Sequence, residues 1–173
     1  MHANQCFDFV IIGAGIAGAS LAYRLAGQAS VLVLERESQP GYHSTGRSAA
    51  MFMEAYGTPQ IQALTRASRA FYQRPPQGFC EHPLMEPRGC LYVASEEQLD
   101  QLQQTYDETR ARSANVRLIT AEQARALVPC LRPEAVAGAM LETAAQDLDV
   151  HALHQGFLPV SYTHLTLPTI LLV

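Results

Sequence analysis

The first 35 residues impose a strand, a glycine turn, a helix and a second strand, in that order. An apolar run at 9–12 leads directly into Gly13-Ala14-Gly15-Ile16-Ala17-Gly18, and an alanine-rich stretch follows. A second apolar run at 31–34 ends on an acid, Glu35. Three glycines at this spacing between a strand and a helix, with an acid about 20 residues further on, are typical of a dinucleotide-binding unit. The sequence therefore predicts a parallel βαβ unit of the Rossmann type.

Each residue of this motif has a physical task. Gly13 allows a sharp turn, Gly15 allows a pyrophosphate to approach the backbone, and Gly18 allows the helix to pack closely on the sheet. The helix N-terminus offers N–H groups to the phosphates. Glu35 can accept hydrogen bonds from both hydroxyls of an adenosine ribose and would repel the 2′-phosphate of NADP. The alternative is a tight turn without a ligand.

The segment after the acid distinguishes FAD from NAD. Residues 36–50 are rich in glycine, small side chains and hydroxyls, whereas an NAD domain would continue into its next strand and helix. The hydroxyls can bind a phosphate or a ring edge, and the two alanines at 49–50 would let the start of a helix lie against a flat ring. The alternative is a polar surface loop. The candidate flavin contacts are Ser44, Thr45, Gly46, Arg47, Ser48, Ala49 and Ala50.

These motifs resemble the FAD-dependent D-amino-acid dehydrogenases, and the D-arginine dehydrogenase branch in particular. The resemblance extends over about residues 7–158, and its most specific part is 41–50. The matching segments are 13–18, 35–36, 41–50, 55–60, 67–71, 75–76, 78–84 and 153–156.

The resemblance implies a reaction and a set of binding residues. FAD would lie along the first strand and helix, and a D-amino acid would lie against the flavin. Hydride transfer to the flavin would give an imine, which hydrolyses to a 2-oxo acid and ammonia. Oxygen and a quinone both remain open as the electron acceptor. By the resemblance, Ala17, Glu35, Arg36 and residues 44–50 would contact FAD, and Tyr56 would be the catalytic residue that faces the substrate.

Two positions depart from the D-arginine branch. Met51 replaces a histidine, and Cys90 replaces the acid that would hold a guanidinium. Both are candidate substrate contacts. A buried cation without a charged partner costs several kcal/mol, so the sequence favours a neutral or apolar D-amino acid, glycine or a secondary amine. Glu54 and Glu86 remain as alternative acids.

The predicted fold class is α/β, with a Rossmann-type FAD-binding domain and part of an interleaved α+β substrate domain, truncated. The FAD-binding domain would cover 1–78, with the flavin-contacting loop and helix after the βαβ unit. Residues 79–145 would begin the substrate domain, and 146–158 would return to the first domain.

Local signals predict the remaining elements. Thr58 with Pro59 can start a helix that ends before the proline pair at 75–76. Ser95 with Gln98, and Thr120 with Gln123, form capping boxes. Strands or extended segments are expected at 90–94, 116–119 and 135–141.

The final segment has a different character. Residues 160–169, Val-Ser-Tyr-Thr-His-Leu-Thr-Leu-Pro-Thr, read as the in-frame translation of a transposase adapter used in DNA library preparation. We therefore expect 159–173 to be a non-native tail, and the chain to be an N-terminal fragment that is inactive as given. The alternative is a genuine C-terminal strand, because these residue types favour strands.

Composition narrows the function classes. Twelve basic against 16 acidic residues give a net charge of −4, which offers no basic surface for nucleic acid. No apolar run reaches about 18 residues, so no membrane span is expected. The N-terminus lacks a charged signal region, which favours a cytoplasmic location. The four cysteines are scattered, and no ligand spacing predicts a metal site.

Three hypotheses follow. The first is an FAD-dependent D-amino-acid dehydrogenase or oxidase with a small-molecule amino-acid substrate. The second is a flavin oxidoreductase of the glycine, sarcosine or glycerol-3-phosphate type. The third is a non-catalytic nucleotide-binding fragment.

Overall fold

The computed structural model describes residues 6–163. Contacts divide the chain into two units. Unit 1 contains the residues up to Ala50, Pro75–Leu84 and the residues from Asp149 onward, and unit 2 contains Met51–Arg74 and Met85–Leu148. The functional domains expected at 1–78, 79–145 and 146–158 stay predictions. Most of the expected adapter-derived tail, from residue 164 onward, lies outside the described residues.

Unit 1 begins with the expected βαβ arrangement. Strand β1 (Phe9–Ile12), helix α1 (Ile16–Leu25) and strand β2 (Val31–Leu34) follow one another. β1 and β2 are parallel, with Phe9 opposite Val31 and Ile12 opposite Leu34. Neighbouring parallel strands require a crossover connection, which α1 provides. The predicted α/β class and Rossmann-type unit are confirmed.

The core of unit 1 lies between α1 and the two strands. The small side chain of Ala22 on α1 allows the helix to approach the strands closely, and Leu25 packs against this core. Ile12 at the end of β1 is 87% exposed. The buried members of this core are Ile11, Ala14, Ala22, Val31 and Val33.

A second helix, α5 (Val150–Thr163), packs against α1. The contact includes three aromatic rings, Tyr23, Phe79 and Phe157, which meet edge to face with centroids 5.0–5.7 Å apart. Such aromatic pairs contribute about 0.5–1.5 kcal/mol beyond their buried area. Asp149 begins α5 by accepting a hydrogen bond from the Ala152 N–H at 2.8 Å.

Unit 2 contains a three-stranded antiparallel sheet. Strand β7 (Gly138–Glu142) lies between β5 (Cys90–Ala94) and β6 (Val116–Thr120). A smaller antiparallel sheet has β8 (Gln146–Leu148) between β3 (Met51–Phe52) and β4 (Met85–Pro87).

The helices of unit 2 begin where their capping residues predict. Helix α2 (Pro59–Gln73) follows Thr58, whose hydroxyl accepts the Ile61 N–H. Helix α4 (Ala121–Leu127) follows the Thr120 box. The Ser95 box opens a short 3₁₀ turn, which continues as α3 (Leu99–Arg110).

Two of the predictions made from the sequence are wrong in part. The helix expected at Ala49–Ala50 is absent; a single 3₁₀ turn covers Thr45–Arg47, where the Gly46 N–H donates to the Gly41 carbonyl at 2.8 Å. Ala50 has φ of 26°, and the chain then enters β3. The extended segment expected from 135 begins instead at Gly138, because Pro133–Ala135 form a 3₁₀ turn.

Candidate functional site

The turn of unit 1 favours glycine for two reasons, the backbone conformation at Gly13 and the close neighbours of Gly15 and Gly18. Gly13 has φ of 96°, and no atom lies within 4 Å of the position where a Cβ would project. A Cβ on Gly15 would lie 3.1 Å from the Thr45 Oγ1. A Cβ on Gly18 would overlap the Gly13 carbonyl oxygen and lie 3.2 Å from the Ile11 Cγ2. The turn therefore fits the close approach of a pyrophosphate to the backbone.

Thr45 connects the predicted flavin segment to this turn. Gly15 is the N-cap of α1 and supplies no side-chain cap, and the Ile16 N–H donates to the Thr45 Oγ1 at 3.0 Å. A helix N-terminus binds anions through such N–H groups. The hydroxyl of Thr45 therefore lies where a phosphate oxygen can be bound.

Glu35 lies against the same turn. One carboxylate oxygen accepts the Ala14 N–H at 2.8 Å, and the other accepts the N–H groups of Arg36 at 2.8 Å and Glu37 at 3.0 Å. Burial raises the pKa of Glu35, but the three N–H donors outweigh it and hold the pKa below its ordinary value. The carboxylate is therefore ionised at neutral pH, beside the turn, as a ribose acceptor must be.

The other predicted FAD contacts have local partners. Arg36 is exposed and pairs with Glu37 at 2.9 Å, and the Arg47 guanidinium lies 5.4 Å from the centre of the Tyr42 ring. The Ser48 hydroxyl accepts the Ala50 N–H at 3.1 Å. A direct contact to FAD stays a prediction for every cofactor-binding candidate, namely Gly13, Gly15, Ala17, Gly18, Glu35, Arg36, Ser44, Thr45, Gly46, Arg47, Ser48, Ala49 and Ala50.

The side chain of His154 on α5 contacts the backbone of the glycine turn. The sequence did not predict this contact. The side chain is buried, and its Nε2 lies 2.8 Å from the Ala14 carbonyl oxygen, which requires the Nε2–H tautomer. A Cβ on Gly41 would lie 2.9 Å from the imidazole Cε1. The sequence signal that could have indicated this role is that His154 follows the apolar Leu153, with both residues buried on α5.

A cavity of about 280 Å³ in unit 2 brings together two predicted substrate residues, Met51 and Tyr56. Tyr56 is 60% exposed, and the wall contains no charged side chain. The other lining residues are Phe52, Met53, Ile61, Leu64, Thr65, Ser68, Tyr72 and Leu148.

A second cavity of about 620 Å³ in unit 2 is lined by Met51 and Cys90. Burial raises the pKa of the Cys90 thiol, so the thiol is neutral at pH 7. The one charged residue in the wall is Arg88, which pairs with Asp147 at 2.7 Å. The remaining wall is formed by Pro87, Gly89, Leu91, Leu127, Val128, Leu141 and Thr143.

The two alternative acids do not supply a carboxylate to either cavity. Glu54 is buried and accepts a hydrogen bond from the Arg69 Nε at 2.8 Å. The same guanidinium lies 4.6 Å from the centre of the Phe52 ring. Glu86 is exposed on β4 and lies in the wall of neither cavity.

Residues 6–163 lack two features. No helix in this range is long and apolar enough to cross a bilayer. No group of three or more histidine, cysteine or acidic side chains is arranged to hold a metal ion in the same range.

Comparison with known proteins agrees with the geometry of unit 1. Residues 8–158 match the model of the DAO family, described as FAD dependent oxidoreductase. L-2-hydroxyglutarate dehydrogenase of Escherichia coli O17:K52:H18 is 30% identical over 133 residues, which cover 71% of this chain and 30% of that protein. The chain therefore spans less than a third of that relative's length.

Two solved structures share the fold. L-proline dehydrogenase from P. horikoshii superimposes with a TM-score of 0.76 at 20% identity, covering 95% of this chain and 44% of that chain. Glycine oxidase from Geobacillus kaustophilus has a TM-score of 0.76 at 21% identity, covering 94% and 46%. The cofactor of the matched family is FAD, and the glycine turn, Thr45 and Glu35 fit it. This chain belongs to the DAO family of FAD-dependent oxidoreductases.

Proposed function

We propose that the chain is part of an enzyme that oxidises a D-amino acid, or a related amine, with an uncharged and apolar side chain. Unit 1 would bind FAD, and unit 2 would contribute to the substrate site. FAD supplies the hydride acceptor when it is bound. The D-amino-acid class rests on the motifs at 41–50 and 55–60, and the relatives found by comparison leave the substrate class open.

The lining of the two cavities supports the uncharged side chain. Met51 lies in both walls, Tyr56 in one and Cys90 in the other, and no carboxylate lies among the described residues of either wall. A guanidinium or ammonium group buried there would lack a counter-charge, at a cost of several kcal/mol. An apolar side chain would instead gain about 25 cal/mol for each Å² that it buries.

The individual residue roles are divided between the two units. The N–H groups at the start of α1 and the Thr45 hydroxyl would bind the pyrophosphate, and Glu35 would accept from the adenosine ribose. In unit 2, Tyr56 would contact the substrate directly, with Met51 and Cys90 beside its side chain.

The test uses the product of the complete gene, purified with FAD and mixed anaerobically with candidate substrates. We expect D-methionine and D-phenylalanine to reduce the flavin faster than D-arginine, with glycine and sarcosine as further amines. Fastest reduction by D-arginine would contradict the apolar assignment. A yellow protein that no amine reduces would contradict amine oxidation altogether.

An anionic substrate is the second candidate, because Arg88 is a cation in the wall of the larger cavity. Its partner Asp147 is 48% exposed, so a substrate carboxylate or phosphate could compete for the guanidinium. L-2-hydroxyglutarate and glycerol 3-phosphate in the same panel separate this candidate from the first. Reduction by either of them and by no amine would favour it.

A further inference from the structure

A buried acid in unit 2 has no role in the function proposed above. Glu142, the last residue of β7, is 1% exposed. One oxygen accepts the N–H groups of Glu54 at 2.6 Å and Ala55 at 3.0 Å. The other accepts the Tyr92 hydroxyl at 3.1 Å. A buried carboxylate is tolerated when donors compensate for its lost hydration, and here two of the three donors come from one loop.

That loop carries Tyr56 and is also held from its other side. The Gln62 Nε2 donates to the carbonyl oxygens of Ala55 and Gly57, each at 3.1 Å. Gln62 is 2% exposed, and its own carbonyl accepts the Arg112 Nε at 3.0 Å. The backbone on both sides of Tyr56 is therefore fixed by buried side chains.

The side chain of Tyr56 contrasts with this buried support. It is 60% exposed and lines the cavity of about 280 Å³. Holding a solvated tyrosine in place gains little for folding, whereas a binding residue benefits from a backbone that is ordered before the ligand arrives. These buried hydrogen bonds are therefore explained if substrate binding depends on the orientation of Tyr56.

We propose that Glu142 is a positioning residue, which holds the backbone at Glu54 and Ala55 so that Tyr56 meets the substrate in a fixed orientation. The inference rests on the proposed substrate contact of Tyr56. It assigns Glu142 no contact with substrate or flavin, and it makes the length of this side chain more important than its charge.

Two variants separate length from charge. Glu142→Gln keeps an oxygen at the same distance from the two N–H groups but removes the charge. Glu142→Asp keeps the charge but withdraws the carboxylate by one methylene. Glu86→Gln changes an exposed acid that lines neither cavity and is the matched control.

The first measurement is amide hydrogen exchange on the complete, FAD-bound protein. We expect Glu142→Asp to accelerate exchange at the amides of Glu54 and Ala55 about tenfold or more relative to those of α3, and Glu142→Gln to have a smaller effect. Acceleration spread evenly over unit 2, or none at the two amides, would overturn the proposal.

The second measurement is a double-mutant cycle between Glu142 and Tyr56, in which KM is measured with the substrate of the panel that reduces the flavin fastest. Glu142→Asp should raise KM about tenfold in the presence of Tyr56 and leave KM unchanged in the Tyr56→Ala background, with an unaltered flavin spectrum. An equal rise in both backgrounds would mean that Glu142 acts on the fold alone. If Tyr56→Ala alone leaves the kinetics unchanged, the substrate contact of Tyr56 is wrong, and hydrogen exchange still decides whether Glu142 holds the loop.

Discussion

Replacing Gly18 by alanine should damage unit 1, although the same change stabilises most helices. Alanine in a helix interior is favoured over glycine by about 1 kcal/mol. At this position the new Cβ would overlap the Gly13 carbonyl oxygen and lie 3.2 Å from the Ile11 Cγ2. The overlapping atom belongs to the backbone, so no side-chain rotation relieves the clash, and α1 must move away from the turn.

The size of the effect follows from these two opposing contributions. Overpacking costs about 1–3 kcal/mol and occasionally more, and the rigid neighbour places Gly18→Ala at the upper end. After the helix gain of about 1 kcal/mol is subtracted, the net loss is about 2 kcal/mol. That loss lowers Tm by roughly 4–8 °C in a protein of this size.

Thermal unfolding with and without FAD, together with FAD titration by flavin fluorescence, measures both consequences. We expect a lower Tm and weaker FAD binding, because the displaced turn no longer fits the pyrophosphate. Ser20→Ala is the control: it lies on the same helix, adds no volume, and loses a hydrogen bond from its hydroxyl to the Ala17 carbonyl, so its effect should stay within about 0.5 kcal/mol. A Tm equal to or above that of the parent protein, with unchanged FAD affinity, would refute the reasoning about Gly18.

Three further changes probe the same site. Gly15→Val adds methyl groups beside the Thr45 hydroxyl, 3.1 Å from the new Cβ, and should abolish flavin retention, measured as the ratio of flavin to protein; an unchanged ratio would remove the pyrophosphate from this turn. Glu35→Gln should weaken FAD binding by roughly 1–3 kcal/mol. The pKa of Glu35 is lowered by folding from its ordinary 4.5, so ionised Glu35 stabilises the fold above that pH and the benefit is lost as the pH falls through the lower, folded value; the Tm difference between parent and variant should therefore narrow in acid, and a constant difference would contradict this. His154→Leu leaves the Ala14 carbonyl without its donor and should cost about 1–3 kcal/mol, whereas His154→Gln, which can still donate, should cost less; equal Tm values for the two variants would show that the hydrogen bond does not matter.

The parts of the fold that follow from short-range rules were predictable. The apolar runs and the glycine spacing locate β1, α1 and β2 almost to the residue, because each rule concerns neighbouring backbone atoms. The same is true of the helix starts at Thr58 and Thr120, where the capping side chain lies within three residues of its donor.

The small sheet of unit 2 was not predictable in this way. Its strands β3, β4 and β8 have two or three residues each, which is too short for an alternating pattern to be recognised. Their pairing joins Phe52 to Gln146 and Met85 to Leu148, partners that are far apart in the sequence. The 3₁₀ turn at Thr45–Arg47 is a similar case, because Thr45 is fixed by the distant Ile16 N–H.

The same distinction between local and long-range contacts applies to the candidate site. The requirement for glycine at 13, 15 and 18 is a property of the local backbone, and the sequence expresses it directly. His154 and Glu142 act through partners that only the tertiary fold brings near, the Ala14 carbonyl and the Glu54 amide. In the sequence, an acid that ends an apolar strand reads as a solvated terminus, since most acids are exposed.

The charge of the substrate shows how the long-range contacts affect a prediction of function. Sequence alone leaves Glu54 and Glu86 as acids that could bind a cationic substrate, and Glu142 is a further acid of unit 2. In the structure, Arg69 pairs with Glu54, solvent surrounds Glu86, and three donors occupy Glu142. A cationic side chain in either described cavity would have to break one of these buried arrangements or remain unpaired, and each outcome costs several kcal/mol. None of these three acids is therefore free to take the place of the acid that the resemblance leads one to expect at Cys90, and this supports the proposal of an uncharged substrate side chain.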